Sequence, residues 1–332
     1  MVVVLLTLAF SDSQSPWQSE TSGVEANLRG ISVQQVAGKY VVWISGTRGT
    51  ILRGAEGAQF KPLSIEGTGD LDFRDIEAFG DAIAYVMSSG DGEKSRIYKT
   101  DDSGKSWKLQ YSDKRAGFFL DSLACESAKR CYALSDPVEG KFLVLATEDG
   151  EHWAELPRDK MPAALPKEGA FAASGTSIAL CEGGIYFGTG GPAARVWRSP
   201  DHGQSWTVVE SPLASGNASS GIFSIACRGH IMMAVGGDYR DPDNARHVAA
   251  YSNDAGTTWH LSEQQPGGYR SAVAFLTDRD LVTVGTNGTD ISHDAGSHWE
   301  RAGNLNMNAV YFSGGQGWAV GPKGVVAKFK NH

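Results

Sequence analysis

The 332-residue chain reads as all-β: a seven-bladed β-propeller of four-stranded blades, closed by an N-terminal strand that completes the last blade. Three observations carry that expectation. An eight-residue pattern ending in Trp recurs along the chain, its copies are spaced at blade length, and the two ends hold complementary pieces of one further unit.

The pattern is Ser/Thr-x-Asp-x-Gly-x-Ser/Thr-Trp. It is complete at residues 100–107, 199–206 and 252–259; the copy at 292–299 has His298 in place of the second hydroxyl, and the copy at 147–153 is one residue short. This is the Asp box, a turn between the two outer strands of a propeller blade. Asp102, Asp149, Asp201, Asp254 and Asp294 are expected to accept backbone N–H groups of a tight loop. The Gly supplies a positive φ, and Trp107, Trp153, Trp206, Trp259 and Trp299 bury their rings between neighbouring sheets. These turn roles account for every residue type in the motif, so the five Asp are scaffold rather than catalytic acids.

Residues 53–60 read as a decayed copy ending in Phe60. The box-ending aromatics from Phe60 to Trp299 then lie 40 to 53 residues apart, each preceded by a β-rich run, which makes six units. A seventh is split between the ends. Residues 318–329 repeat the pattern of 43–52 without an outer strand, while Trp17-Gln18-Ser19-Glu20 looks like an outer strand without a blade. Joining them closes the ring and removes open sheet edges. The 41 glycines suit a chain of many tight turns. We expect one propeller domain over 16–332, with 1–15 a signal peptide or disordered N-terminus.

Residues 2–10 form a short apolar run followed by a polar stretch, like the hydrophobic part of an export signal and too short to span a bilayer. The chain is therefore expected to be periplasmic or secreted, and monomeric. Cys125 and Cys131 flank a short hairpin, and Cys181 and Cys227 end matching inner strands; three pairings and free thiols all remain open. The net charge of −8 argues against a nucleic-acid partner. No zinc spacing, phosphate-binding loop, dinucleotide fingerprint or Gly-x-Ser-x-Gly elbow occurs, so neither metal nor cofactor is expected.

Function should lie opposite the Asp boxes, on loops leading into the inner strands and loops joining second to third strands. The first set presents Arg29, Arg74, Asp121, Tyr269 and Arg270, with Arg29, Arg74 and Arg270 read as equivalent positions. The second presents Arg48, Asp136, Lys141 and Arg195, and the long loop 236–247 adds Asp238, Tyr239, Arg240, Arg246 and His247. Arginines on one rim of an acidic protein suit a carboxylate-bearing partner, because the guanidinium pairs with carboxylates in a bidentate fork. The competing reading is that each Arg pairs with a nearby Asp and stiffens its loop.

The segments Asn27-Leu28-Arg29-Gly30-Ile31 and 43–52 (WISGTRGTIL) resemble the photosystem II stability/assembly factor family, as do the Gly-x-x-Gly turns at 285–288 and 321–324. That resemblance implies a seven-bladed propeller acting as a non-catalytic assembly chaperone for a membrane-protein segment, through an arginine patch to which Arg29 and Arg48 correspond. The chain is also similar to exported bacterial relatives carrying Ser135-Asp136-Pro137-Val138, 170–176 (AFAASGT) and 236–240 (GGDYR). Asp boxes occur in sialidases too. In that alternative, a glycan-binding protein or glycoside hydrolase, Arg29, Arg74 and Arg270 would hold a carboxylate, Tyr269 or Tyr239 would be nucleophile and Asp121 proton donor. The sialidase Phe/Tyr-Arg-Ile-Pro signature is absent; Leu28-Arg29-Gly30-Ile31 is the nearest stretch.

Overall fold

The structure, a computed structural model, describes residues 15–330; the apolar run at 2–10 lies outside them. Seven antiparallel sheets follow one another along the chain. Their innermost strands are Leu28–Val36 (blade I), Asp72–Phe79 (II), Leu120–Cys125 (III), Ile178–Cys181 (IV), Asn217–Arg228 (V), Ala272–Phe275 (VI) and Ala309–Ser313 (VII). Blades I to VI each run outward in sequence order over four strands, and blade VII does so over its first three; blade V also takes in the two-residue strand Gly190–Gly191 from a loop of blade IV.

The ring closes as the terminal half-motifs foretell. Trp17–Thr21 pairs antiparallel with Val325–Phe329 and becomes the outer strand of blade VII. Trp17 is buried, stands edge-on to Phe329 at 5.1 Å, and its Nε1 donates to Thr289 Oγ1 at 2.9 Å in blade VI. Apolar clusters fill the wedges between blades.

Near the axis, side chains fasten each blade to the next. Ala78 N donates to Ser32 Oγ (3.1 Å), Leu123 N to Asp75 Oδ2 (2.6 Å) and Val273 N to Ser224 Oγ (3.1 Å). Hydroxyl pairs join Ser122 to Ser177 (2.7 Å) and Thr176 to Ser224 (2.7 Å). Ser271 Oγ donates to Asn308 O (2.7 Å), and Asn308 Nδ2 donates to Leu28 O (2.7 Å), which returns the chain of contacts to blade I. Inner strands splay at the axis, so short polar side chains bridge where backbone ladders do not reach.

The Asp boxes form the expected turns. In the copies at 100–107, 199–206, 252–259 and 292–299, the first hydroxyl accepts the Gly N–H at 2.7–2.9 Å. The Asp accepts the N–H four residues on at 2.8–2.9 Å. Hydrogen bonds from Ser106, Ser205 and Thr258 hold Asp102, Asp201 and Asp254 down at about 2. At His152 and His298 the imidazole Nδ1 meets the Asp where the hydroxyl would be, at 2.7 and 2.8 Å. Cys125 is bonded to Cys131 and Cys181 to Cys227, the second pair tying blade IV to blade V.

Candidate binding cavity on the propeller axis

The inner strands carry a repeated irregularity that builds the site. In blades I, II, III and V one extra residue bulges from the pairing with the second strand: Arg29, Arg74, Asp121 and Phe223. A bulge re-aims one side chain while the ladder continues on either side. The corresponding residue elsewhere stands before a small residue and an aliphatic one, as Arg29 stands before Gly30-Ile31. This gives Thr176, Ser271 and Asn308. All seven except Thr176 line one axial cavity of about 610 Å³, a size suited to a small ligand or a few peptide residues.

A connection without strands, residues 156–177 between blades III and IV, supplies the rest of the wall. It crosses the mouth of the channel and touches four blades. Ala172 O accepts Arg74 Nη1 at 2.7 Å, Ala170 N donates to Asp136 Oδ1 at 2.9 Å, and Ser174 Oγ donates to Ser271 O at 2.8 Å. Phe171 stacks on Phe223 with centroids 3.8 Å apart. Gly175 sits at φ 76°, and a Cβ there would fall 2.2 Å from Asp75 Oδ1, so this crossing admits only Gly.

Of the sequence-predicted residues, Arg29, Arg74, Asp121, Asp136, Tyr239 and Tyr269 line the cavity. Arg29 Nε is sealed from solvent with no hydrogen-bond partner among the described residues; Asp72 Oδ1, its nearest acid, is 4.0 Å away. Burial and the neighbouring Arg74 hold its guanidinium below the usual range. Arg74 donates Nε to Asp72 Oδ2 at 2.6 Å. Asp121 is 1% exposed with Oδ2 unpartnered, and burial, then repulsion from Asp136, pushes its carboxyl well above the ordinary range. Burial lifts Asp136 to about 6. Tyr269 packs edge-on to Phe223 at 4.8 Å, and burial raises its phenol, whereas Tyr239 is 44% exposed at the rim.

Arg270 departs from the sequence expectation. It lies one residue before the cavity position, which Ser271 holds, so its side chain points into the blade rather than to the axis. There it is fully buried, donating Nε to Asp290 Oδ2 at 2.7 Å and Nη1 to Asn287 Oδ1 at 2.6 Å. Arg195 is likewise occupied, by buried Glu168. Lys141 donates to Arg158 O at 2.6 Å. Asp238 accepts Asn217 Nδ2 at 3.0 Å and the Arg240 amide at 2.9 Å. Arg48, Arg240, Arg246 and His247 are exposed in second-to-third-strand loops but do not line the cavity.

Sequence reasoning passed over Phe171, Phe223, Ser271 and Asn308 because it sought charges. The aliphatic-after-small signature would have found the last three; Phe171 reaches the cavity through tertiary packing alone.

The family model of the DUF6242 beta propeller domain matches residues 11–277. The chain belongs to this propeller family. No curated protein matches its sequence. Among solved structures it is similar to YCF48 bound to D1 peptide (13% identity, TM-score 0.66, covering 96% of this chain and 97% of that one). It is also similar to YCF48 from Cyanidioschyzon merolae (18% identity, TM-score 0.67, 94% and 98%). A third is the extracellular domain of BT4673 from B. thetaiotaomicron (11% identity, TM-score 0.66), where it covers 96% of this chain and 40% of the larger one. At these identities the likeness is one of fold.

Proposed function

We propose that this family member is a non-catalytic binding propeller that holds a carboxylate-bearing protein segment in the axial cavity. Arg29 and Arg74 receive the carboxylate, and the wall of Phe171, Phe223, Tyr239 and Tyr269 receives an apolar neighbour. The observation that carries the reading is Arg29, whose sealed Nε has no partner among the described residues and whose guanidinium borders the cavity. A buried donor left unmade is costly, and a ligand carboxylate relieves it. YCF48, of the same fold, is described with a bound peptide, which agrees in kind.

We place the protein outside the cytoplasm, where its two disulfides persist. The hydrolase alternative has less support, since Asp290 occupies Arg270 and Tyr269 is sealed beside Phe223. The test is co-capture from the native periplasmic and membrane fractions by wild type and by Arg29→Glu/Arg74→Glu. The double variant is expected to lose the partner while keeping its melting temperature within a few degrees. Undiminished capture by that folded variant would reject the surface.

A further inference from the structure

The cavity has two poles. Arg29 and Arg74 stand on blades I and II; Asp121 and Asp136 stand on blade III beside them. Among the described residues, the second pole has no cation hydrogen-bonded to it. Arg74, whose charge reaches Asp121, directs Nε to Asp72 and Nη1 to Ala172 O instead. Asp136 Oδ1 takes the Ala170 amide, and Asp121 Oδ2 is sealed with no donor among the described residues. A buried, cavity-lining carboxyl oxygen without a donor carries the same unmet demand as Arg29 Nε, with the opposite sign.

We propose that Asp121 and Asp136 form a cation subsite, so that the ligand segment presents a Lys or Arg close to its carboxylate. This rests on the carboxylate reading above and adds the second half of the recognition pattern. Phe119 and Ala170, which also line the cavity beside the acids, offer apolar surface for the methylene stem of such a side chain. A hydroxyl ligand would satisfy one oxygen; an ammonium or guanidinium satisfies the donor deficit and offsets the repulsion between the two carboxyls. Without ligand, protonation relieves the same repulsion: burial lifts Asp136 to about 6 and pushes Asp121 well above its ordinary range. Docking a cation therefore favours release of such a proton.

The test uses arrays of immobilised ten-residue peptides that share one Glu and carry Lys, norleucine or a second Glu at each neighbouring position. Wild type is expected to retain Glu/Lys peptides about tenfold better than Glu/norleucine peptides, the size of one charge-assisted hydrogen bond. Asp121→Asn and, as an independent variant, Asp136→Asn bring that ratio towards one. Titration calorimetry of the best Glu/Lys peptide in buffers of different ionisation enthalpy should show proton release. Equal retention of Lys and norleucine peptides by wild type, abolished by Arg29→Glu, overturns the cation subsite and leaves the carboxylate reading standing. Retention of no Glu peptide, or retention indifferent to Arg29→Glu, overturns both.

Discussion

Arg270 and Asp290 form an ion pair sealed inside blade VI, with 0% and 1% of the residues exposed, and neither group lines the axial cavity. Breaking such a pair leaves one charge buried alone. Arg270→Ala is therefore expected to cost about 3–5 kcal/mol of unfolding free energy, read by urea denaturation. Partner capture by the fraction still folded should be unchanged. Lost capture with unchanged stability would return Arg270 to the binding surface.

The clasp of the ring predicts a different phenotype. Trp17 fills the seam between blades VI and VII, so Trp17→Ala should destabilise by about 3–5 kcal/mol. Hydrogen exchange should quicken first along Val325–Phe329, the strand it pairs with. Uniform acceleration over all seven blades would contradict a local clasp.

The inner wall of blade II carries two acids whose titration opposes folding. Burial lifts Glu77 to about 8 from an ordinary 4.5, and burial, with Glu77 adding, raises Asp75 as well. The folded chain thus keeps protons that the unfolded chain has released, and stability falls as pH rises from about 4.5 to 8. Melting temperatures at pH 5, 6.5 and 8 should decline in that order. Glu77→Gln should flatten the decline; an unchanged slope would exclude Glu77 as its source.

The crossing segment is pinned at Gly175, where any Cβ meets Asp75. Gly175→Ala is expected to displace residues 169–176 and to speed limited proteolysis within 156–177 without changing cleavage elsewhere. Proteolysis at the wild-type rate would show that the crossing tolerates the added methyl group.

The scaffold was legible because its grammar is local. Each Asp box is a self-contained hydrogen-bonded turn, and Trp17 betrays an outer strand by the residues beside it. Arg29 and Arg74 were legible for the same reason, standing just before Gly30-Ile31 and Asp75-Ile76. Arg270 was misread by one residue, and in a strand one residue exchanges the axis for the blade interior. Phe171 was invisible because its connection has no repeat grammar; its position depends on contacts with blades II, III, V and VI.

The central claim is that the partner enters at the arginine-bearing mouth, and photocrosslinking tests it most directly. A benzophenone amino acid placed at Asn306, exposed on the cavity wall, is compared with one at Lys105, exposed in an Asp-box turn at the opposite end of the blades. The account predicts a partner adduct from position 306, abolished by Arg29→Glu, and none from position 105. An adduct from 105, or one from 306 indifferent to Arg29→Glu, would contradict it.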